Sequence, residues 1–96
     1  MLYELAMTVD KITKRRKRLI FRSWHRGTRE MDLLMGTFAD EYVMGLDEDE
    51  VTQYEELLEY SDPDLYNWMS GREPIPANVE SPLMLKLQGH KFNATS

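Results

Sequence analysis

The sequence contains no cysteine. That excludes a disulfide framework, a thiol nucleophile and a thiolate metal site, and it fits a reducing compartment. The two histidines, His25 and His90, are far apart, and neither is followed three or four residues on by another histidine or a carboxylate. A metal site is therefore not indicated. No glycine-rich phosphate loop occurs. No apolar run approaches the ~20 residues that a membrane span needs, so no membrane insertion is expected. Sustained two-residue alternation and hairpin dipeptides are missing as well, which argues against β structure. The stretch Met1 to Val9 is mildly apolar but contains Glu4 and is not followed by a small-residue cleavage site, so it does not read as a signal peptide. Glu4 and Asp10 also count against an organellar presequence.

What remains is a chain of 96 residues, read as one domain over residues 1–96 with a helical core at about 10–90 and flexible ends. A domain of this size buries roughly 65% of the surface of its unfolded chain, which leaves little room for an enclosed active site. The net charge of −5 hides an asymmetry. Residues 1–29 hold nine Lys/Arg against two acids, and residues 30–96 hold three against fifteen. Such a split suggests a basic face able to steer toward an anionic partner.

Five helices can be drawn, and the fold class is all-α, a compact five-helix bundle. The first runs from about Asp10 to His25, with Ile12, Leu19, Ile20 and Trp24 near one face and Lys14-Arg15-Arg16-Lys17-Arg18 covering the rest; Gly27 ends it. The second runs from about Thr28 to Met44. Its apolar residues Met31, Leu34, Met35, Phe38, Ala39, Tyr42 and Val43 follow helical spacing closely. Gly36 inside it costs up to about 1 kcal/mol unless close packing needs it. A third helix starts at Asp47, which forms a capping box with Glu50, and Val51, Tyr54, Leu57 and Leu58 form its stripe. In the fourth, Asp62 caps, Pro63 occupies the first turn, Leu65, Trp68 and Met69 face inward, and Gly71 stops it. Glu73-Pro74-Ile75-Pro76 reads as an extended connector. The fifth begins near Asn78 or Ser81, with Pro82 in its first turn. The short link between helices two and three makes them antiparallel neighbours.

Catalytic constellations are not evident. The acidic run Asp47-Glu48-Asp49-Glu50 has the position of a solvated helix start and lacks the alternating ligands and central glycine of a calcium loop. Two segments carry more information than a core requires. In Arg26-Gly27-Thr28-Arg29-Glu30 a structural explanation is available: with Gly27 as N-cap, Glu30 falls at the third helical position and reaches back to the cap, leaving Arg26 and Arg29 as solvated charges. The functional explanation is a glycine-centred knuckle that presents two guanidinium forks and a carboxylate, with the bare Gly27 backbone open to close approach. In Asp62-Pro63-Asp64-Leu65-Tyr66-Asn67-Trp68, helix initiation and a buried Trp68 account for most of the pattern without function.

Together these two segments, about thirty residues apart, resemble the two signatures of the succinate dehydrogenase flavinylation factors: Arg-Gly-x-x-Glu, and Asp-Pro-Asp-Leu-aromatic-Asn-Trp. The resemblance covers roughly residues 12–90. It implies a five-helix, non-enzymatic assembly factor. Such a factor binds the flavoprotein subunit of succinate dehydrogenase, or also of fumarate reductase, and promotes covalent attachment of FAD to a histidine of that subunit. It also implies no cofactor of the factor's own, since the FAD is bound by the partner. The implied location is the bacterial cytoplasm, or the mitochondrial matrix in a eukaryote, and the implied state is a monomer. By this likeness Arg26, Gly27 and Glu30 lie at the partner interface, with Arg29 beside them and Asp62, Pro63 and Asp64 contributed by the second segment. Residue 25 departs from the pattern, being His where many bacterial members carry a second basic residue.

Two other readings stay open on composition alone. The basic first helix could contact nucleic-acid phosphates, although the acidic remainder opposes this and no aromatic residue interleaves the five-residue basic run. A regulatory helical protein that binds some other acidic surface has the same composition.

Overall fold

The structure, a computed structural model, describes residues 2–90, with side chains from Lys11 onward. It is all-α among the described residues. The elements in chain order are α1 (Leu2–Trp24), α2 (Arg29–Tyr42), a 3-10 turn (Val43–Gly45), α3 (Glu48–Leu57), α4 (Asp62–Ser70) and α5 (Pro82–Gly89). The flexibility expected of the tail beyond His90 lies outside the described residues.

Helix α2 is the centre of the bundle. Met35, Phe38 and Ala39 on it and Val43 just beyond it are fully buried, as its spacing predicts. Leu19 of α1, Val51, Tyr54 and Leu57 of α3, Leu65 and Trp68 of α4, and Leu83, Met84 and Leu87 of α5 close around it in one apolar cluster. The glycine at position 36 is explained by α1. The Trp24 ring lies directly on the Gly36 backbone, and its indole N–H donates to Asp40 Oδ1 at 3.1 Å.

Local chemistry sets the helix ends. Asp47 and Glu50 form the expected reciprocal capping box at α3. Ser81 caps α5 with Pro82 in its first turn, and Gly71 ends α4 at φ 80°. Three boundaries differ from the sequence reading. Helix α1 starts at Leu2 rather than near Asp10, because Leu2 to Val9 holds good helix formers and neither Gly nor Pro. The N-cap of α2 is Thr28 rather than Gly27; the threonine hydroxyl accepts from Met31 N–H. The N-cap of α4 is Ser61 rather than Asp62, since the serine hydroxyl serves Asp64 N–H and leaves the Asp62 carboxylate for another partner.

Candidate docking knuckle

The turn between α1 and α2 gathers the first segment. Gly27 sits at φ 115°, a conformation that L side chains rarely adopt, and nothing lies within 4 Å of where its Cβ would be. Glu30 stands at the second helical position of α2 and not at the third, so it does not reach back to the cap. The side chains of Arg29 and Glu30 are exposed and have no hydrogen bond or ion pair with any other described residue. The structural explanation for Glu30 therefore falls, and its carboxylate is offered to solvent.

Asp32 does what sequence reasoning assigned to Glu30. Its Oδ1 accepts from the backbone N–H of Arg26 at 2.5 Å and from that of Gly27 at 3.2 Å. No periodicity marks this residue; the available signal is an acid in the first turn after an Arg-Gly pair.

Arg26 turns away from solvent. Nε donates to Asp62 Oδ1 at 2.8 Å, Nη1 to the Leu58 carbonyl at 2.6 Å and Nη2 to the Tyr60 carbonyl at 2.7 Å. Its side chain is 11% exposed and that of Asp62 21%. The two segments are thus joined by a guanidinium that closes the end of α3 and the start of α4. Of the second segment, Pro63 and Asp64 are exposed, while Leu65 and Trp68 belong to the core. The structure brings Arg26 and Asp62 together, and leaves Gly27, Arg29, Glu30, Pro63 and Asp64 facing outward.

Part of the basic helix is turned onto α3. Arg15 donates to Glu55 through Nε at 3.1 Å and Nη2 at 2.5 Å, and to Glu48 through Nη1 at 2.9 Å. That hydrogen bonding holds the Glu55 carboxyl below the usual glutamate range and pushes the Arg15 guanidinium up. Arg16 is buried and donates to the Leu46 carbonyl at 2.6 Å, and Arg22 pairs with Glu59 at 2.9 Å. The basic and acidic halves seen in the sequence face each other across a helix interface. Lys17 and Arg18 stay exposed, next to an exposed Phe21 ring on which His25 stacks at 4.0 Å. The His90 side chain, by contrast, is tucked in at the end of α5, bonded to Thr37 Oγ1 at 2.9 Å, while the residue as a whole is half-buried.

Residues 17–91 match the family described as flavinator of succinate dehydrogenase. The chain belongs to that family. A FAD assembly factor SdhE from Acetobacter pasteurianus is 38% identical over 78 residues, covering 81% of this chain and 72% of the relative. A mitochondrial succinate dehydrogenase assembly factor 2 from Drosophila grimshawi is 41% identical over 81 residues, covering 82% of this chain and 55% of the relative. Another mitochondrial succinate dehydrogenase assembly factor 2, from Dictyostelium discoideum, is 35% identical, covering 88% and 60% respectively. The chain thus spans little more than half the length of these mitochondrial relatives. Arg26, Gly27, Arg29 and Glu30 of the first segment fall inside the matched region, as do Asp62, Pro63 and Asp64 of the second.

Proposed function

We propose that this chain is an assembly factor that docks on the FAD-loaded flavoprotein subunit of succinate dehydrogenase and promotes covalent attachment of the flavin to a histidine of that subunit. The observation that carries the reading is the exposed Gly27 knuckle, with Arg29 and Glu30 unpaired among the described residues, inside the region matched to the flavinator family. An exposed guanidinium and an exposed carboxylate on consecutive residues fit a polar partner surface, and the bare glycine lets that surface approach the backbone.

The factor acts by positioning. Docking holds the partner's histidine close to the reactive methyl carbon of its flavin, and orientation of that kind can supply a large part of a barrier. No catalytic group and no cofactor of the factor's own are needed. No cluster of three or more potential metal ligands occurs among the described residues. An open groove of about 590 Å³ holds Glu80 and Ser81 beside Pro74, Ile75, Met84 and Leu85, but the Ser81 hydroxyl is already engaged in capping α5. No helix among the described residues is long and apolar enough to cross a membrane. Fumarate reductase, whose flavoprotein subunit presents the same task, is a second client. The site of action is the compartment where the flavoprotein folds, the bacterial cytoplasm or the mitochondrial matrix, and the working unit is a monomer. The nucleic-acid alternative loses ground because Arg15, Arg16 and Arg22 are engaged within the fold.

The test is covalent flavin in the flavoprotein subunit, read by in-gel fluorescence after denaturation, in cells with the gene, without it, and with Glu30→Ala. Loss of signal in the deletion and a deficit in the variant at normal protein level are expected. Unchanged flavinylation in the deletion would overturn the proposal.

A further inference from the structure

We infer that Arg26, Asp32 and Asp62 are positioning residues that hold the Gly27 knuckle in its docking shape, and that none of the three touches the partner. The inference rests on the docking reading above and divides its residues into two groups.

Residue 26 is fixed from both sides. Its backbone N–H is held by Asp32 from the first turns of α2, and its guanidinium by Leu58, Tyr60 and Asp62 at the α3–α4 corner. Gly27 shares the Asp32 oxygen through its own N–H. The glycine thus lies between two anchors, in a backbone conformation that the chain would otherwise leave readily. A fork with Nε, Nη1 and Nη2 each already donating, on a side chain 11% exposed, keeps at most two of its five N–H groups and turns no free bidentate face to solvent. To offer one, it would have to abandon three short hydrogen bonds and uncover two backbone carbonyls. Arg29 and Glu30 have no such ties among the described residues and stand on the rigid first turn of α2. A loop already held in its bound shape loses less freedom on association, so the network acts on affinity through order rather than contact.

Contact and positioning make opposite demands on conservative replacements. If Arg26 met the partner as a charge, lysine would largely replace it; if it holds three acceptors in a planar fork, lysine cannot. If Asp32 met the partner as a charge, asparagine would fail as alanine does; if it accepts from two backbone N–H groups, the asparagine oxygen still serves.

The experiment measures binding of the full chain to the FAD-loaded flavoprotein subunit across a range of salt concentrations, for wild type, Arg26→Lys, Asp32→Ala, Asp32→Asn and Arg29→Gln, with helicity checked by circular dichroism. Arg26→Lys and Asp32→Ala are each expected to lower affinity by roughly tenfold or more, the scale of losing hydrogen bonds to charged groups. Asp32→Asn should stay within about threefold of wild type on the same scale. The salt dependence should be unchanged in Arg26→Lys and reduced in Arg29→Gln, which removes a solvent-facing charge. Hydrogen exchange at the Arg26 and Gly27 amides of the free chain should quicken in Asp32→Ala and not in Asp32→Asn, a readout that stands even if Arg26→Lys fails to fold. Wild-type affinity in Arg26→Lys, or equal losses in Asp32→Ala and Asp32→Asn, would overturn the inference while leaving the docking reading intact. No binding by the wild-type chain would reject the docking reading, and this inference with it.

Discussion

The indole of Trp24 occupies the space that a side chain at position 36 would need. A Cβ added to Gly36 falls on the six-membered ring, well inside van der Waals contact, and Trp24 cannot swing freely because its N–H is bonded to Asp40. Alanine is the better helix former by up to about 1 kcal/mol, yet Gly36→Ala is expected to destabilise the protein by about 1–3 kcal/mol through overpacking. Urea denaturation measures the change, and a net gain in stability would contradict the packing seen here.

Gly27 calls for a different outcome. Space around it is open, so the cost of Gly27→Val is confined to the backbone at φ 115°, about 1–3 kcal/mol. The helical circular dichroism spectrum should persist, while covalent flavin in the partner falls. Flavinylation at the wild-type rate would show that the knuckle is not the docking element.

Tyr54 ties three helices together from inside the core. Its hydroxyl, on α3, lies 2.6 Å from Ser23 Oγ of α1, whose own hydrogen goes to the Leu19 carbonyl at 2.7 Å, and 3.4 Å from the Met35 carbonyl of α2. Tyr54→Phe should cost about 1 kcal/mol, since Ser23 keeps a partner. Burial raises the Tyr54 phenol above its ordinary value of 10.0. A folded-state value raised in this way contributes stability below the unfolded value, and that contribution is lost as pH climbs through the range above it. Thermal melts should therefore fall at pH beyond 10.0, and Tyr54→Phe should flatten that fall.

The Arg15–Glu55 pair acts at the acid end. Hydrogen bonding from Arg15 lowers the Glu55 carboxyl below its ordinary 4.5. A lowered folded value contributes stability above the unfolded value, and acid removes it as pH drops through the lowered one. Arg15→Gln should weaken the dependence of the melting temperature on pH below 4.5, with an equally steep dependence in both proteins being the contrary result.

The fold was legible wherever burial alone decided it. The stripe of α2 and the Asp47–Glu50 cap follow from spacing and first-turn chemistry, and both stand in the structure. Helix ends chosen between equivalent caps were less legible: Thr28 against Gly27, and Ser61 against Asp62, turn on which side chain has a better use elsewhere. For Asp62 that use is Arg26, 36 residues away. The same distance hid the inward turn of Arg26, because a guanidinium bonded to two carbonyls leaves no mark in residue types; Asp32 lies only 6 residues from Arg26, but an acid in the first turns of a helix is favoured by the helix dipole in any case and so does not stand out. The basic run of α1 was legible in part. Arg15 and Arg16 turn toward α3 and the Leu46 carbonyl, while Lys14, Lys17 and Arg18 stay exposed, a division that a charge count cannot make.

The two shortest helices, α4 with 9 residues and α5 with 8, fall well short of a helix that persists by itself in water. They exist while Leu65, Trp68, Leu83, Met84 and Leu87 are seated in the common core. A copy that lacks α5 would deprive Leu65 and Trp68 of their neighbours in the common core, and with them loosen the corner grasped by Arg26.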